Sequence, residues 1–398
     1  MKVVIWIVVR CIFPLYCCGM KRLYFDYAAT TPIDARVVKA MRPFFSKKFA
    51  NATALYKEGV EVKQALTDAR KQVAAILNAS YKEVFFTGSG TEANNLAILG
   101  VIGRYAHPHV VTTTIEHPSV LEVCKEVERR GGEVTVVPVD ERGVVSARSI
   151  AESLKENTVL VSVMCANNEI GTIQPLKEIA KKIREHRKKY LHSKIVFHTD
   201  ASQAANYLPL NVASLGVDLL TLDGSKIYGP KGVGMLYVKN GTDISPILFG
   251  GGQEGGIRSG TENMAGVVGF AKAFSITDES REKESKRLLV LRDMLIEKIA
   301  KAFPSSTLNG DQSERLVNNV NVCFPGVDAE FVVIKLDVEG VACSYSSSCR
   351  TLSENNRSYV LEAIGRGCCA ESSLRFTLGR ATTAKDIDRL MKILPRVL

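Results

Sequence analysis

The sequence is poor in the features that would place it outside ordinary soluble enzymes. It carries one tryptophan, Trp6, and aromatic residues make up 7% of it. Ten cysteines are present, yet none form a Cys-x-x-Cys pair and none stand at zinc-like spacing with the six histidines. Neither a disulfide framework nor a metal site is therefore predicted, and a reducing cytoplasm fits this cysteine usage. Long apolar runs are also missing. The first nineteen residues, with Cys11, Cys17 and Cys18, are apolar but interrupted by Arg10. They lack a clear small-residue cleavage site and fall short of the roughly 20 apolar residues of a membrane span. Residues 1–19 read instead as a dispensable extension, or as sequence upstream of a true start at Met20. Internal repeats and low-complexity segments are absent. The balance of 52 basic to 42 acidic residues gives a formal charge of +10, but the basic residues are scattered and no nucleic-acid motif accompanies them. Their densest run, Lys181 to Lys194, reads as the solvated face of a helix.

What is present suits a two-domain enzyme: 398 residues, 46% apolar and 24% charged. From about Lys82 to Val238, short β-rich runs alternate with helical patterns. The runs are Val84 to Thr87, Val110 to Thr114, Glu133 to Val139, Val159 to Met164, Ile195 to His198, Val217 to Leu222 and Gly234 to Val238. Between them lie amphipathic stretches such as Ala93 to Tyr105, Ser119 to Arg130 and Leu176 to Lys188. That alternation predicts an α/β fold with a mostly parallel sheet covered on both faces. After about Ser275 a charged helix, Glu282 to Ala302, leads into strands near Asn318 to Cys323 and Leu374 to Thr377, as in a smaller α+β domain. Residues 33–275 are assigned to the large domain, and residues 20–32 with 276–398 to the small one. Ser344 to Arg357 forms the longest irregular piece, a loop of functional length.

Several candidate groups follow strands. Lys226 stands in Asp223-Gly224-Ser225-Lys226-Ile227-Tyr228-Gly229-Pro230, directly after the run Val217 to Leu222, where a parallel sheet opens its binding crevice. Its amine suits a Schiff base; an ordinary surface lysine beside a turn is the other reading. Thr87 to Glu92 is a Gly-rich strand-to-helix turn, whose amides and Thr91 hydroxyl make an anion site, unless tight packing alone explains the glycines. Asp200 ends a strand and suits a pyridinium partner or a helix N-cap. Asn168 suits a phenolic oxygen or a turn, and His117 suits a ring to stack on and a proton to shuttle, or a structural role.

Together these motifs resemble the cysteine desulfurases of the NifS/IscS type, fold-type I pyridoxal-phosphate enzymes of the class V aminotransferase group. The resemblance runs from about Met20 to Val397. It is carried by Phe25 to Pro32, Thr91-Glu92, Glu116-His117, Asn167 to Gly171, Asp200 with Gln203, Lys226 to Gly232, Gly250 to Thr261, and Ser372 to Phe376. It implies pyridoxal 5'-phosphate held by Lys226 as a Schiff base, with Asp200 at the pyridine nitrogen. Asn168 and Gln203 would lie at the ring oxygen, and His117 would stack on the ring. Gly90, Thr91 and Ser225 would hold the phosphate, joined by Thr261 of a second subunit in a homodimer. Arg375 would clamp the substrate carboxylate, with Asn168 also near the substrate. Cys349, in the long loop, would take sulfur from L-cysteine as a persulfide, release L-alanine, and pass the sulfur to an acceptor for iron-sulfur cluster assembly or tRNA thiolation. Cys343 is the rival by spacing, and Cys368 and Cys369 are expected to be structural or incidental.

The alternatives are a class V aminotransferase or selenocysteine lyase on the same scaffold, or a scaffold without catalysis. The chain also departs from the family pattern at several points. Asp223 stands where serine or threonine is usual, Ser225 where histidine is usual, Gly255 where arginine is common and Ala52 where proline is usual. Tyr345-Ser346-Ser347-Ser348 precedes Cys349 in place of Ser-Gly-Ser-Ala. An ionised Asp223 would repel a phosphate dianion, so it is expected to point away, to be protonated, or to mark a changed phosphate cup.

Overall fold

The computed structural model describes residues 22–190, 194–345 and 357–398. Its strands are β1 (Leu23–Tyr24), β2 (Val84–Thr87), β3 (His109–Thr113), β4 (Glu133–Val137), β5 (Thr158–Ser162), β6 (Val196–Asp200), β7 (Leu219–Asp223), β8 (Gly234–Val238), β9 (Thr307–Leu308), β10 (Asn319–Cys323), β11 (Val341–Ala342) and β12 (Ser373–Thr377). The large sheet has seven strands in the order β2-β8-β7-β6-β5-β3-β4. Within it β8 runs opposite to the other six strands.

Both faces of this sheet are covered, which is why its strands read as nearly unbroken apolar runs. Neighbouring residues on each strand enter opposite cores. Val111, Val161, Leu220 and Met235 face one cluster, while Val110, Leu160, Leu219 and Leu236 face the other. The edge strand β4 is the exception, with Val136 exposed.

The smaller unit is a three-stranded antiparallel sheet, β12-β10-β9, beside the parallel pair β1 and β11. Leu23 and Phe25 pack in the same core as Leu288, Val320, Leu374 and Leu390, so the start of the described chain belongs with its end. A backbone bridge between Asp26 and Thr377 continues that association toward the large sheet.

Two sequence expectations need correction. The helix expected to begin at Glu282 begins at Met264 and runs to Ala302. Its first turns, with Met264, Val267, Phe270, Ala271 and Phe274, are buried in the large core, so they carry no polar face to mark them as helix. The other correction concerns the cysteines, because Cys323 and Cys369 form a disulfide across a sequence separation of 46 residues. The end of β10 and the turn Gly367–Cys369 before β12 bring the two together, a proximity that no short spacing motif encodes. Among the described residues, no helix is long and apolar enough to cross a membrane.

Candidate active site

The groups that sequence reasoning singled out converge because each follows the carboxyl end of a strand, and these strands all run in the same direction. Gly90 and Thr91 follow β2, His117 follows β3, Asn168 follows β5, Asp200 ends β6, and Asp223 and Lys226 close β7. Crevices for ligands form at that end of an open α/β sheet. A cavity of about 230 Å³ lies there, lined among others by Ala28, Thr91, His117, Asn168, Asp200, Gln203, Lys226 and Arg375.

At its floor, each oxygen of Asp200 accepts one N–H donor. Asn94 Nδ2 donates to Oδ2 at 2.8 Å, and the Ser202 amide donates to Oδ1 at 2.9 Å. The carboxylate is thus aimed by neutral donors, and it caps no helix. Asn94 was not singled out from the sequence. Its signal was there, however: a polar side chain amid Ala93, Leu96, Ala97 and Ile98 on a helix buried over most of its surface, where an amide needs a specific partner.

Asn94 also donates to Ser119 Oγ at 2.8 Å, and Ser119 Oγ lies 2.8 Å from His117 Nδ1. The Ser119 backbone amide points at the same Nδ1 at 3.1 Å. An amide can only donate, so Nδ1 accepts and the ring proton of neutral His117 sits on Nε2. Burial, partly opposed by the charge of Asp200, holds the His117 pKa below its usual value and favours that neutral form. His117 is also the N-cap of helix Pro118–Arg129, which fixes the ring's approach to the cavity.

Lys226 closes a short turn that begins at Asp223. Its Nζ donates to the Ala29 carbonyl, its own carbonyl accepts from Asn206 Nδ2 at 2.6 Å, and the Ser225 carbonyl accepts from the Thr31 amide and hydroxyl. The Tyr27 to Pro32 segment therefore serves as one wall of the lysine's pocket. Gln203 braces the same wall, donating to Ala28 O at 3.0 Å.

Arg375 is almost fully buried on β12. It pairs through Nη2 with Asp26 at 2.8 Å and donates from Nη1 to the Asn168 carbonyl at 3.0 Å. Arg375 Nε and Asn168 Oδ1 are buried with no partner among the described residues. Orphaned polar atoms beside a cavity suit a polar ligand.

The anion end differs from expectation. Gly90 and Ser225 were assigned to a phosphate, but the Gly90 amide donates to Asp223 Oδ2 at 2.8 Å. The Ser225 amide and hydroxyl donate to Asp223 Oδ1 at 2.8 and 2.5 Å. Asp223 points into the cup, not away from it. Thr261, expected to act from a second subunit, borders a separate cleft with Phe45 and Phe49. Cys349 lies outside the described residues. Cys343 is buried, with its thiol pKa pushed far up by that burial, as befits a core residue and not a nucleophile.

Behind His117, Glu116 is fully buried, accepting from Thr113 Oγ1 at 2.7 Å and from the Met164 amide at 2.9 Å. Burial raises its pKa from 4.5 to about 8. The unfolded chain releases this proton near 4.5, whereas the fold retains it to about 8. Stability from this group is full below the lower value and is lost as pH rises through the upper one, with a slope of at most about 1.4 kcal/mol per pH unit. Glu116→Gln is expected to flatten that decline, read from urea midpoints at several pH values across the window. Parallel declines in both proteins would show that Glu116 is not its source.

Comparison with known proteins agrees with this geometry. The model of the family described as aminotransferase class-V matches residues 23–390. The cysteine desulfurase IscS of Dictyoglomus turgidum is 43% identical over 383 residues, covering 95% of each chain. That of Methanosarcina thermophila is 42% identical over 381 residues, covering 95% of this chain and 92% of its own. Among solved structures, a NifS-like protein superposes with a TM-score of 0.88 at 33% identity, covering 95% of this chain and 99% of the other. SspA in complex with cysteine gives 0.77 at 33% identity, covering 90% and 99%. A chain matched over nearly its whole length, with its lysine, aspartate and histidine gathered at the strand ends, belongs to the class-V aminotransferase family, in the cysteine desulfurase branch of NifS and IscS.

Proposed function

We propose that the chain is a cysteine desulfurase that uses pyridoxal 5'-phosphate, as its family does, to convert L-cysteine to L-alanine. The observation that carries this reading is the convergence of Lys226, Asp200 and His117 on one cavity, with buried Arg375 at its edge. The ring half of the cofactor fits these residues: a carboxylate for the pyridine nitrogen, an imidazole to stack, an amine to bond, and the orphaned Asn168 Oδ1. The phosphate half meets Asp223. When bound, the cofactor's protonated ring would withdraw electrons from the substrate's α-carbon.

The chain's own groups do the rest. Lys226 moves the proton at the α-carbon, and neutral His117 offers its Nε2–H to the reacting groups. A guanidinium has five N–H donors, of which the described residues engage one on each Nη. Nε–H and the remaining Nη hydrogens are left for the substrate carboxylate. The thiolate of Cys349 attacks the substrate's sulfur: a sulfur–sulfur bond forms, the carbon–sulfur bond breaks, and the protonated carbon skeleton leaves as alanine. The persulfide then passes to an acceptor for cluster assembly or tRNA thiolation. That SspA, a relative over most of this chain, was solved with cysteine bound supports the choice of substrate.

A homodimer fits the surface. Phe45, Phe49, Leu55, Tyr56 and Val60 are exposed along one segment, and Thr261 shares a cleft with the first two. We assign Thr261 to the phosphate of the other subunit's site.

Cys349→Ser is expected to abolish sustained sulfide and alanine release from L-cysteine while leaving cofactor binding intact. Full desulfuration by that variant would overturn the reading in which Cys349 takes the sulfur.

A further inference from the structure

Resting on the functional reading above, we propose that Asp223 acts as a built-in anion in the place of the cofactor's phosphate, and so sets how far the protein discriminates pyridoxal 5'-phosphate from unphosphorylated pyridoxal. One carboxylate takes up three donors of the cup: the Gly90 amide, the Ser225 amide and the Ser225 hydroxyl. The neighbouring Gly88 amide is also taken, by Glu92 Oε2 at 2.9 Å. Glu92 in turn pairs with Arg258 through contacts of 2.7 and 3.3 Å. Of the expected phosphate ligands from this chain's cup, the Thr91 hydroxyl alone donates to no described residue.

Asp223 cannot swing away at little cost. It is the last residue of β7 and the cap of the turn that carries Lys226, and that turn is fixed by Thr31 and Asn206. Its side chain packs so closely on Gly90 that a Cβ there would lie 3.0 Å from Asp223 Cβ and 3.1 Å from Oδ2. The glycine of the anion turn is thus needed to admit a carboxylate, whatever else it admits.

A phosphate dianion entering this cup must displace the carboxylate from its donors and then lie beside a like charge. Unphosphorylated pyridoxal carries no phosphate dianion and so meets neither obstacle. The phosphate that usually anchors such a cofactor therefore adds little affinity here. A small hydroxyl residue at position 223 would release the Gly90 amide and the Ser225 hydroxyl and remove the charge.

Equilibrium dialysis of the cofactor-free protein against each aldehyde tests this without reference to turnover. In Asp223→Ser, pyridoxal 5'-phosphate is expected to bind at least about tenfold more tightly than in the wild type, with pyridoxal unchanged within about twofold. Unchanged or weaker binding of the phosphate ester, in a variant that still takes pyridoxal like the wild type, overturns the inference. Should Asp223→Ser lose both ligands through loss of its cap, Asp223→Asn decides by the same comparison, because it keeps the volume and an acceptor oxygen without the charge. A wild-type chain that binds neither aldehyde overturns the functional reading itself.

Discussion

Lys226→Ala is expected to lower alanine formation from L-cysteine by at least about 10⁴-fold, the upper range for loss of a single acid–base group, with no recovery at high substrate. The magnitude follows from the two duties proposed for the lysine, bonding the cofactor and moving the substrate's proton. Asn206 and Thr31 grip the backbone of the lysine's turn, not its amine. The fold should therefore survive the truncation, and circular dichroism with a thermal melt checks that it does. A visible band from bound cofactor is expected on the native protein and should vanish or shift in the variant. Activity within tenfold of the native value would remove Lys226 from the chemistry and return it to the surface-lysine reading.

Arg375→Leu should show the next largest effect, on two readouts at once. Truncating one partner of a buried pair leaves the other charge uncompensated, which costs about 3–5 kcal/mol. Asp26 would be that stranded charge. Loss of the carboxylate clamp should separately lower kcat/KM by about 10²–10³-fold. Adding Asp26→Asn separates the two, since it removes the stranded charge without restoring a guanidinium. The double variant is expected to regain most of the lost stability and none of the lost kcat/KM, an interaction read from a double-mutant cycle. If kcat/KM returned together with stability, Arg375 would be a structural ion-pair partner and nothing more.

Much of this site was legible in the sequence because parallel strands buried on both faces announce themselves as β-branched runs, and the groups following such runs meet at one edge. Asp200 and Lys226 were found in that way. Asn94 was not, since its meaning lies in contacts with Asp200 and Ser119, on elements far from it in sequence. Asp223 was recognised as unusual, but sequence left three readings open, and its contacts with Gly90 and Ser225 rule out the one in which it points away. The pairing of Cys323 with Cys369 was illegible for a related reason, because two strands and a turn must be placed before the sulfurs become neighbours. The same holds for the first turns of helix Met264–Ala302, whose burial erased the periodicity that marks its charged half.

That helix has a mechanical consequence. At 39 residues it is a rod about 58 Å long. Its first half is sunk in the core behind Lys226, and Leu288, Leu291, Leu295 and Ile299 are sunk in the core behind Arg375. With no proline along it to form a joint, the two halves of the active site share one stiff axle. The spacing between the Lys226 amine, proposed to handle the α-carbon, and the Arg375 guanidinium, proposed to hold the carboxylate, is thus machined into the scaffold before any substrate arrives.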